Sequence, residues 1–178
     1  MASASSAVAG RGAKKRPYIF LWSTLAAAAL AAVMVFVLAS PRYISVPSGS
    51  MLPSIRVGDS VFVESLTYRF RGPQSGDIVL FDAPFDSSLT LLKRVVAVGG
   101  QQVDVKDGHL IVDGAVLSES YVFGQPTEPL TNSRIVLPVQ IPDGYVWVMG
   151  DNRTASQDSR YFGPLAVSAI RGKIAGVQ

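Results

Sequence analysis

Residues 91–98, LLKRVVAV, place a lysine and an arginine inside an otherwise apolar run. The β-branched residues favour a strand, and alternation along it puts Leu91, Lys93 and Val95 on one face. If that face is buried, desolvation lowers the pKa of Lys93 and makes a neutral amine available near neutral pH. The alternative is an edge strand from which the lysine side chain reaches water.

Segments of similar character on both sides of residues 91–98 predict a mostly β domain. The further strands are expected at Val57–Glu64, Asp77–Asp82, Val103–Lys106, His109–Val112 and Tyr145–Met149. Asp107-Gly108 is a strong hairpin signal, and Asp113-Gly114 predicts a second tight turn. Residues 118–133 contain two prolines and little periodicity, so they are expected to form a loop.

An uncharged run of 22 residues, Tyr18–Ala39, precedes this domain. As a helix it would span roughly 33 Å, enough to cross a bilayer core of about 30 Å. The sequence therefore predicts a disordered basic cytoplasmic tail at 1–16, a transmembrane helix at 17–40 and an extracytoplasmic domain at 41–178, oriented by the positive-inside bias. A cleavable signal peptide is the alternative, but its apolar core is usually only about 7–15 residues long.

The net charge of +3 comes from the N-terminal tail. Four of the sixteen Lys and Arg residues precede the apolar run, which leaves twelve basic against thirteen acidic residues in the remainder. A nucleic-acid partner is therefore not expected, because that function needs a basic face on the folded domain. The absence of cysteine excludes disulfides, thiolate metal sites and a cysteine nucleophile.

Residues 46–54, VPSGSMLPS, place Ser50 in a stretch that its prolines keep out of a helix. Such a stretch after an apolar helix is compatible with a plain linker, and also with an exposed nucleophile. A serine hydroxyl needs a base. The only histidine, His109, falls beside a predicted hairpin turn and is expected at the surface, so Lys93 is the better candidate.

A third segment, residues 149–163 (MGDNRTASQDSRYFG), is dense in short polar and charged side chains. Asp, Asn and Ser at this density can build a fixed hydrogen-bonded loop, although a polar turn is the simpler interpretation. Asp151 or Asp158 could pair with Arg153 or Arg160. A metal site is not expected here, because the segment has two carboxylates and no histidine.

Together these segments resemble the type I signal peptidase family from the apolar helix to about Gly172. Residues 50–54 resemble its nucleophile box, 76–81 its conserved strand, 93–96 its lysine box and 150–163 its closing box. Four such boxes in this order behind an N-terminal apolar helix are very specific. The family also implies a β-rich, signal-peptidase-like catalytic domain without the large inserted β-domain of longer relatives.

The resemblance implies a role for individual residues. Ser50 would be the nucleophile, Lys93 the general base, and the Ser48 hydroxyl and Ser50 N–H the oxyanion hole. Ser156 would orient the lysine amine. Structural support of the site would come from Asp151, Arg153, Asp158 and Arg160. The apolar substrate cleft would be lined by Val46, Pro47, Met51, Ile55, Leu80, Leu91 and Leu92. No metal or cofactor is implied.

The implied function is removal of signal peptides from exported preproteins after small residues, at Ala-x-Ala-like sites, through an acyl-enzyme. The implied partners are signal peptides and the lipid bilayer, and the protein is expected to be a monomer. We expect a single-pass protein of the plasma membrane, with the thylakoid membrane as the other candidate. The alternative function is an inactive membrane-anchored binding module of the same fold.

Overall fold

The computed structural model describes residues 17–38 and 42–178, and the side chains of residues 21–34 and 42–178. The chain divides after Leu38 into two units. The first unit contains helix α1, Pro17–Leu38. No helix within the described residues is long and apolar enough to cross a membrane. The predicted cytoplasmic tail, residues 1–16, lies outside the described part of the chain.

The regular secondary structure of the second unit consists mainly of strands, which confirms the mostly β fold class. Its elements are β1 Arg42–Ser45, β2 Ser60–Glu64, β3 Ile78–Ala83, β4 Asp86–Val98, β5 Gln102–Lys106, β6 His109–Val112, β7 Ala115–Val116, β8 Val139–Gln140, β9 Tyr145–Met149, α2 Ser159–Phe162, β10 Leu165–Ala166 and β11 Ile170–Val177.

Two antiparallel sheets organise this unit. One has seven strands in the order β1-β2-β11-β3-β4-β9-β10, and the other has four in the order β7-β6-β5-β8. Strand β4 lies inside the larger sheet, where Lys93 faces Val79 of β3 and Arg94 faces Met149 of β9. The edge-strand alternative for Lys93 is therefore wrong, since both sides of β4 are paired.

The predicted turns and strands are largely confirmed. Asp107 and Gly108 connect β5 and β6 with φ values of 52° and 77°, as a tight type I′ turn requires. Strand β9 has the predicted bounds. Strand β2 begins at Ser60 rather than Val57, because Gly58 (φ 92°) closes a turn before it. Residues 118–133 contain a 3₁₀ turn, Ser120–Val122, and are otherwise irregular, as expected.

The core of the β-rich unit consists of three clusters of buried apolar side chains. One lies beneath the 46–55 segment and includes Met51, Ile55 and Leu80. Another is centred on Trp147, which is fully buried, and a third on Phe81. The first cluster anchors the turn that carries Ser50, so this turn is held by packing as well as by backbone hydrogen bonds.

Candidate active site

The turn around Ser50 is a 3₁₀ turn, Gly49–Met51, anchored at both ends. Leu52 N–H donates to Gly49 O at 3.2 Å, and Ile55 N–H donates to Met51 O at 2.9 Å. The Met51 side chain is buried in the core. The adjacent Ser50 therefore has a defined position, with its side chain partly accessible.

Lys93 and Ser50 are brought together although 43 residues separate them. Lys93 Nζ donates to Ser50 Oγ at 2.6 Å. The lysine is 2% exposed, and no salt bridge joins it to a carboxylate within residues 42–178. Burial lowers the pKa of Lys93 to about 8, against the smaller opposing effects of Asp158 and Asp151. Such an amine can exchange a proton with the hydroxyl near neutral pH.

Ser48 and Ser156 occupy different positions relative to this pair. The Ser48 hydroxyl lies on the exposed side, 3.4 Å from Ser50 Oγ. Ser156 is buried, and its hydroxyl has no hydrogen-bond partner among the described residues. An orienting contact from Ser156 to the lysine amine therefore stays a prediction.

The loop after β9 packs directly against the nucleophile turn, and Gly150 makes this approach possible. A Cβ at Gly150 would lie 2.3 Å from Ser156 Oγ and 2.5 Å from Ser50 O. Both distances are far below van der Waals contact, so a larger residue would push this loop away from the turn. Gly150 therefore permits the close contact between the polar loop and the turn that carries Ser50.

Three buried arginine–carboxylate pairs surround the site, and we call them the ionic network. Arg94 binds Asp151 through Nε at 2.8 Å and Nη2 at 2.7 Å. Arg160 Nε binds Asp158 at 2.9 Å, and Arg153 binds Glu119. The carboxylates of Asp151 and Asp158 are completely buried. Each pair is held by charge-assisted hydrogen bonds between groups of opposite charge in direct contact.

The expected pairing within the polar loop is only partly correct. Asp158 does pair with Arg160, but Asp151 pairs with Arg94 on β4, and Arg153 with Glu119 in the irregular segment. Sequence reasoning missed Arg94 and Glu119. Arg94 carried a usable signal, because a cation in an apolar central strand requires a partner. Glu119 carried none, since nothing local distinguishes it from a solvated glutamate.

Tyr121 is a further residue that the sequence did not indicate. Its ring centroid lies 4.2 Å from Arg94 Cζ, and its hydroxyl donates to Glu119 at 2.7 Å. Burial and the adjacent Glu119 carboxylate raise the pKa of Tyr121 above its usual value, so the phenol stays protonated. Tyr121 thus connects two pairs of the ionic network.

An apolar cleft of about 160 Å³ opens beside Ser50. Six of the seven predicted cleft residues line it, namely Val46, Pro47, Met51, Leu80, Leu91 and Leu92. Ile55 does not line the cleft, because its side chain is packed in the apolar core cluster with Met51 and is 0% exposed. A larger cavity of about 610 Å³ lies around residues 116–127 and contains neither Ser50 nor Lys93.

Metal binding has no obvious location in the β-rich unit. Among the described residues, no group of three or more His, Cys, Asp or Glu side chains could hold a metal ion. His109, the sole histidine of the sequence, is exposed on β6. Among the described residues, the hydrogen-bond partners of Ser50 Oγ are the Lys93 amine and the Ser48 hydroxyl.

Comparison with known proteins shows the family to which the chain belongs. Residues 18–177 match the family described as signal peptidase, peptidase S26. "Probable signal peptidase I-1" of Synechocystis is 41% identical over 155 residues, which cover 83% of this chain and 75% of that protein. Thylakoidal processing peptidase 1 of Arabidopsis thaliana is 40% identical over 146 residues, which cover 76% of this chain but only 41% of that protein.

Among solved structures, a signal peptidase I from Enterococcus faecalis matches 58% of this chain and 97% of its own, with 28% identity and a TM-score of 0.49. The family match spans the whole β-rich unit. The chain belongs to the signal peptidase (peptidase S26) family of serine proteases. The resemblance inferred from its four boxes is thereby confirmed.

Proposed function

We propose that this protein is a membrane-anchored endopeptidase that removes signal peptides from exported preproteins, with Ser50 as nucleophile and Lys93 as general base. The observation that carries the proposal is the 2.6 Å contact between Lys93 Nζ and Ser50 Oγ. Burial lowers the pKa of this amine to about 8. A hydroxyl and a largely desolvated amine in contact are the minimum required for nucleophilic catalysis without histidine.

Acylation begins with neutral Lys93. Ser50 Oγ attacks the scissile carbonyl carbon while its proton passes to Nζ, and the carbonyl oxygen becomes an oxyanion. The Ser50 N–H and the Ser48 hydroxyl donate hydrogen bonds to that oxygen. The Lys93 ammonium then protonates the leaving nitrogen as the C–N bond breaks. The mature protein departs, and the signal peptide remains as an ester on Ser50.

Deacylation uses the same groups in a second cycle. A water molecule attacks the ester carbon and gives one proton to Lys93. Collapse of the tetrahedral intermediate breaks the bond to Oγ, and Lys93 returns that proton to Ser50. The signal peptide leaves with a new carboxyl group, and the enzyme regains its starting state without any cofactor.

The cleft beside Ser50 supports a preference for small side chains. Its volume is about 160 Å³, and its lining is mainly aliphatic. An alanine methyl group can enter such an aliphatic space without leaving a polar or charged atom unsolvated, as a polar side chain would. This supports cleavage at Ala-x-Ala-like sites.

The membrane anchor is proposed from the sequence. The uncharged run Tyr18–Ala39 follows a cluster of basic residues, which favours a cytoplasmic N-terminus and an extracytoplasmic β-rich domain. Ser50 follows the run by about ten residues, so the site would work close to the membrane surface. The bacterial plasma membrane and the thylakoid membrane both fit this topology, and a monomer suffices for the chemistry.

The test is cleavage of a fluorogenic peptide spanning an Ala-x-Ala site by the full chain in detergent. Ser50→Ala and Lys93→Ala should each abolish cleavage, while Ser87→Ala and Lys106→Ala, exposed controls of the same residue types, should leave it unchanged. Replacing the alanine before the scissile bond with phenylalanine should prevent cleavage. Full activity in Ser50→Ala or Lys93→Ala would exclude the dyad.

A further inference from the structure

Asn152 holds the backbone on both sides of the nucleophile. Its side-chain amide donates from Nδ2 to Gly49 O at 3.1 Å, and its backbone N–H donates to Ser50 O at 3.0 Å. The two carbonyls belong to consecutive peptide units, one before and one after the Ser50 Cα. A single residue of the polar loop therefore clamps both peptide planes that flank the nucleophile.

The geometry of a trans peptide links the first of these contacts to catalysis. Gly49 C=O and Ser50 N–H belong to the same planar unit and point in opposite directions. Fixing the direction of Gly49 O therefore fixes the direction of the Ser50 N–H. Glycine at 49 adds to the need for a clamp, because a residue without Cβ imposes little restraint on the rotation of that plane.

The clamp also acts electronically on the same peptide unit. Gly49 O accepts two hydrogen bonds, from Leu52 N–H at 3.2 Å and from the Asn152 amide. Donors at a carbonyl oxygen polarise the peptide and strengthen its N–H as a donor. The amide of Asn152 is itself oriented, because the Thr154 hydroxyl donates to Asn152 Oδ1 at 3.2 Å.

We infer that Asn152 is a positioning residue for the oxyanion hole: its side-chain amide aims and polarises the Ser50 N–H through the Gly49–Ser50 peptide plane. The inference rests on the proposed function, since it assigns a use to that N–H in the transition state. Asn152 itself touches neither the Lys93 amine nor the cleft. Its effect should thus appear in turnover and not in substrate binding or in the protonation of Lys93.

The test compares Asn152→Ala and Asn152→Asp with wild type on the same fluorogenic Ala-x-Ala peptide. Both variants lack the donating NH2 group, and the aspartate keeps the shape of the side chain. We expect kcat to fall about tenfold in each, the upper range for one lost hydrogen bond. KM should stay within about twofold for Asn152→Ala, and the acid limb of its pH profile should not move. The exposed Asn132→Ala is the matched control with wild-type kinetics.

Binding separates positioning from a general structural role. The affinity of Ser50→Ala for the uncleaved peptide should be the same with and without Asn152→Ala, whereas a distorted cleft would weaken it. Unchanged kcat in Asn152→Ala, a loss confined to KM, or a shifted acid limb would each overturn the inference. If Asn152→Ala folds poorly, Thr154→Val replaces it. Loss of that exposed hydroxyl should lower kcat about twofold to fivefold, and no loss would overturn the inference.

The Ser50→Ala enzyme distinguishes this failure from failure of the proposed function. If wild type cleaves the peptide and Ser50→Ala does not, a wild-type kcat in Asn152→Ala rejects only the role of Asn152. If Ser50→Ala cleaves as well as wild type, the proposed function itself is rejected.

Discussion

Lys93 and the arginines of the ionic network are basic residues in the same buried region, but they differ in the groups that they contact. Arg94, Arg153 and Arg160 each contact a carboxylate. Lys93 contacts a neutral hydroxyl, and its amine has no salt-bridge partner among residues 42–178. The sequence places Lys93 and Arg94 side by side on β4, so their different environments come from tertiary structure.

This difference separates stability from reactivity. A buried charge with a hydrogen-bonded counter-charge is held in its ionised form and ties elements together. A buried lysine without a counter-charge in contact has a lowered pKa, because its ammonium form loses more hydration energy than distant carboxylates restore. The arginines therefore fix the loops around Ser50, and the lysine is available near neutral pH as the neutral amine that can accept the Ser50 proton.

Removing Asp158 from the ionic network should cause the largest loss in the free energy of unfolding. Asp158 accepts hydrogen bonds from the Arg160 guanidinium and from Gly150 N–H. Asp158→Ala would leave a buried guanidinium unpaired, which we expect to lower the free energy of unfolding by about 3–5 kcal/mol. Chemical denaturation of the full chain in detergent measures this change.

The matched control for Asp158→Ala is Asp82→Ala, which breaks the more exposed pair of Asp82 with Arg171. An exposed ion pair contributes about 0–1 kcal/mol, so this variant should unfold nearly as wild type does. Equal losses in the two variants would contradict a special role for buried pairs.

The sequence predicted those features that depend on local chemistry. The Asp-Gly turns at 107–108 and 113–114 need positive φ, which those residue pairs accept, and the structure has them there. The apolar character of residues 91–98 indicated a buried strand, and Lys93 is buried. Ser50 was singled out by the prolines and glycine around it, features visible within a few residues.

Partners across the fold could not be predicted in the same way. Glu119 meets Arg153 only because residues 118–133 fold back onto the polar loop, and no sequence pattern encodes that path. The sequence places Ile55 in the cleft, but its side chain packs into the core cluster, and that choice depends on residues distant in the chain such as Leu80. Strand β11, Ile170–Val177, was not predicted, because it contains two glycines and little apolar alternation.

Removing Lys93, the cation without a salt bridge, should raise the free energy of unfolding, whereas Asp158→Ala should lower it. Burial lowers the pKa of Lys93 from 10.5 to about 8. Below pH 8 the buried amine is therefore protonated, and the folded protein carries an ammonium group that has lost its hydration. At about 1.4 kcal/mol per pKa unit, Lys93→Met should raise the free energy of unfolding by up to about 3 kcal/mol at pH 7, with loss of cleavage. Denaturation at pH 7 tests this, and the exposed Lys106→Met is the control.

The pH dependence of this gain has a definite sign. Between pH 8 and 10.5 the unfolded chain holds the Lys93 proton and the folded chain does not, so wild-type stability rises with pH. The advantage of Lys93→Met should therefore shrink across this window and vanish above it. If Lys93→Met were less stable than wild type at pH 7, burial of the Lys93 ammonium would not destabilise the folded protein.

The activity of the wild type should follow the same titration. Since catalysis requires neutral Lys93 and its pKa is lowered to about 8, kcat/KM should fall about tenfold per pH unit below pH 8. Asp158→Asn should move this limb to lower pH, because the Asp158 carboxylate raises the pKa of Lys93. A pH profile of peptide cleavage measures both, and an unmoved limb in Asp158→Asn would contradict this electrostatic coupling.

The smallest loss of stability is expected from Tyr121→Phe. Tyr121 contacts two pairs of the ionic network but carries no charge. Tyr121→Phe loses the hydrogen bond to Glu119 and should cost about 1 kcal/mol of stability. Tyr121→Leu also loses the ring over Arg94, worth about a further 0.5–1 kcal/mol. Equal losses in the two variants would mean that the ring adds nothing to the Arg94–Asp151 pair. A graded loss would show that the arginine, unlike the lysine beside it, is stabilised as a cation from two sides.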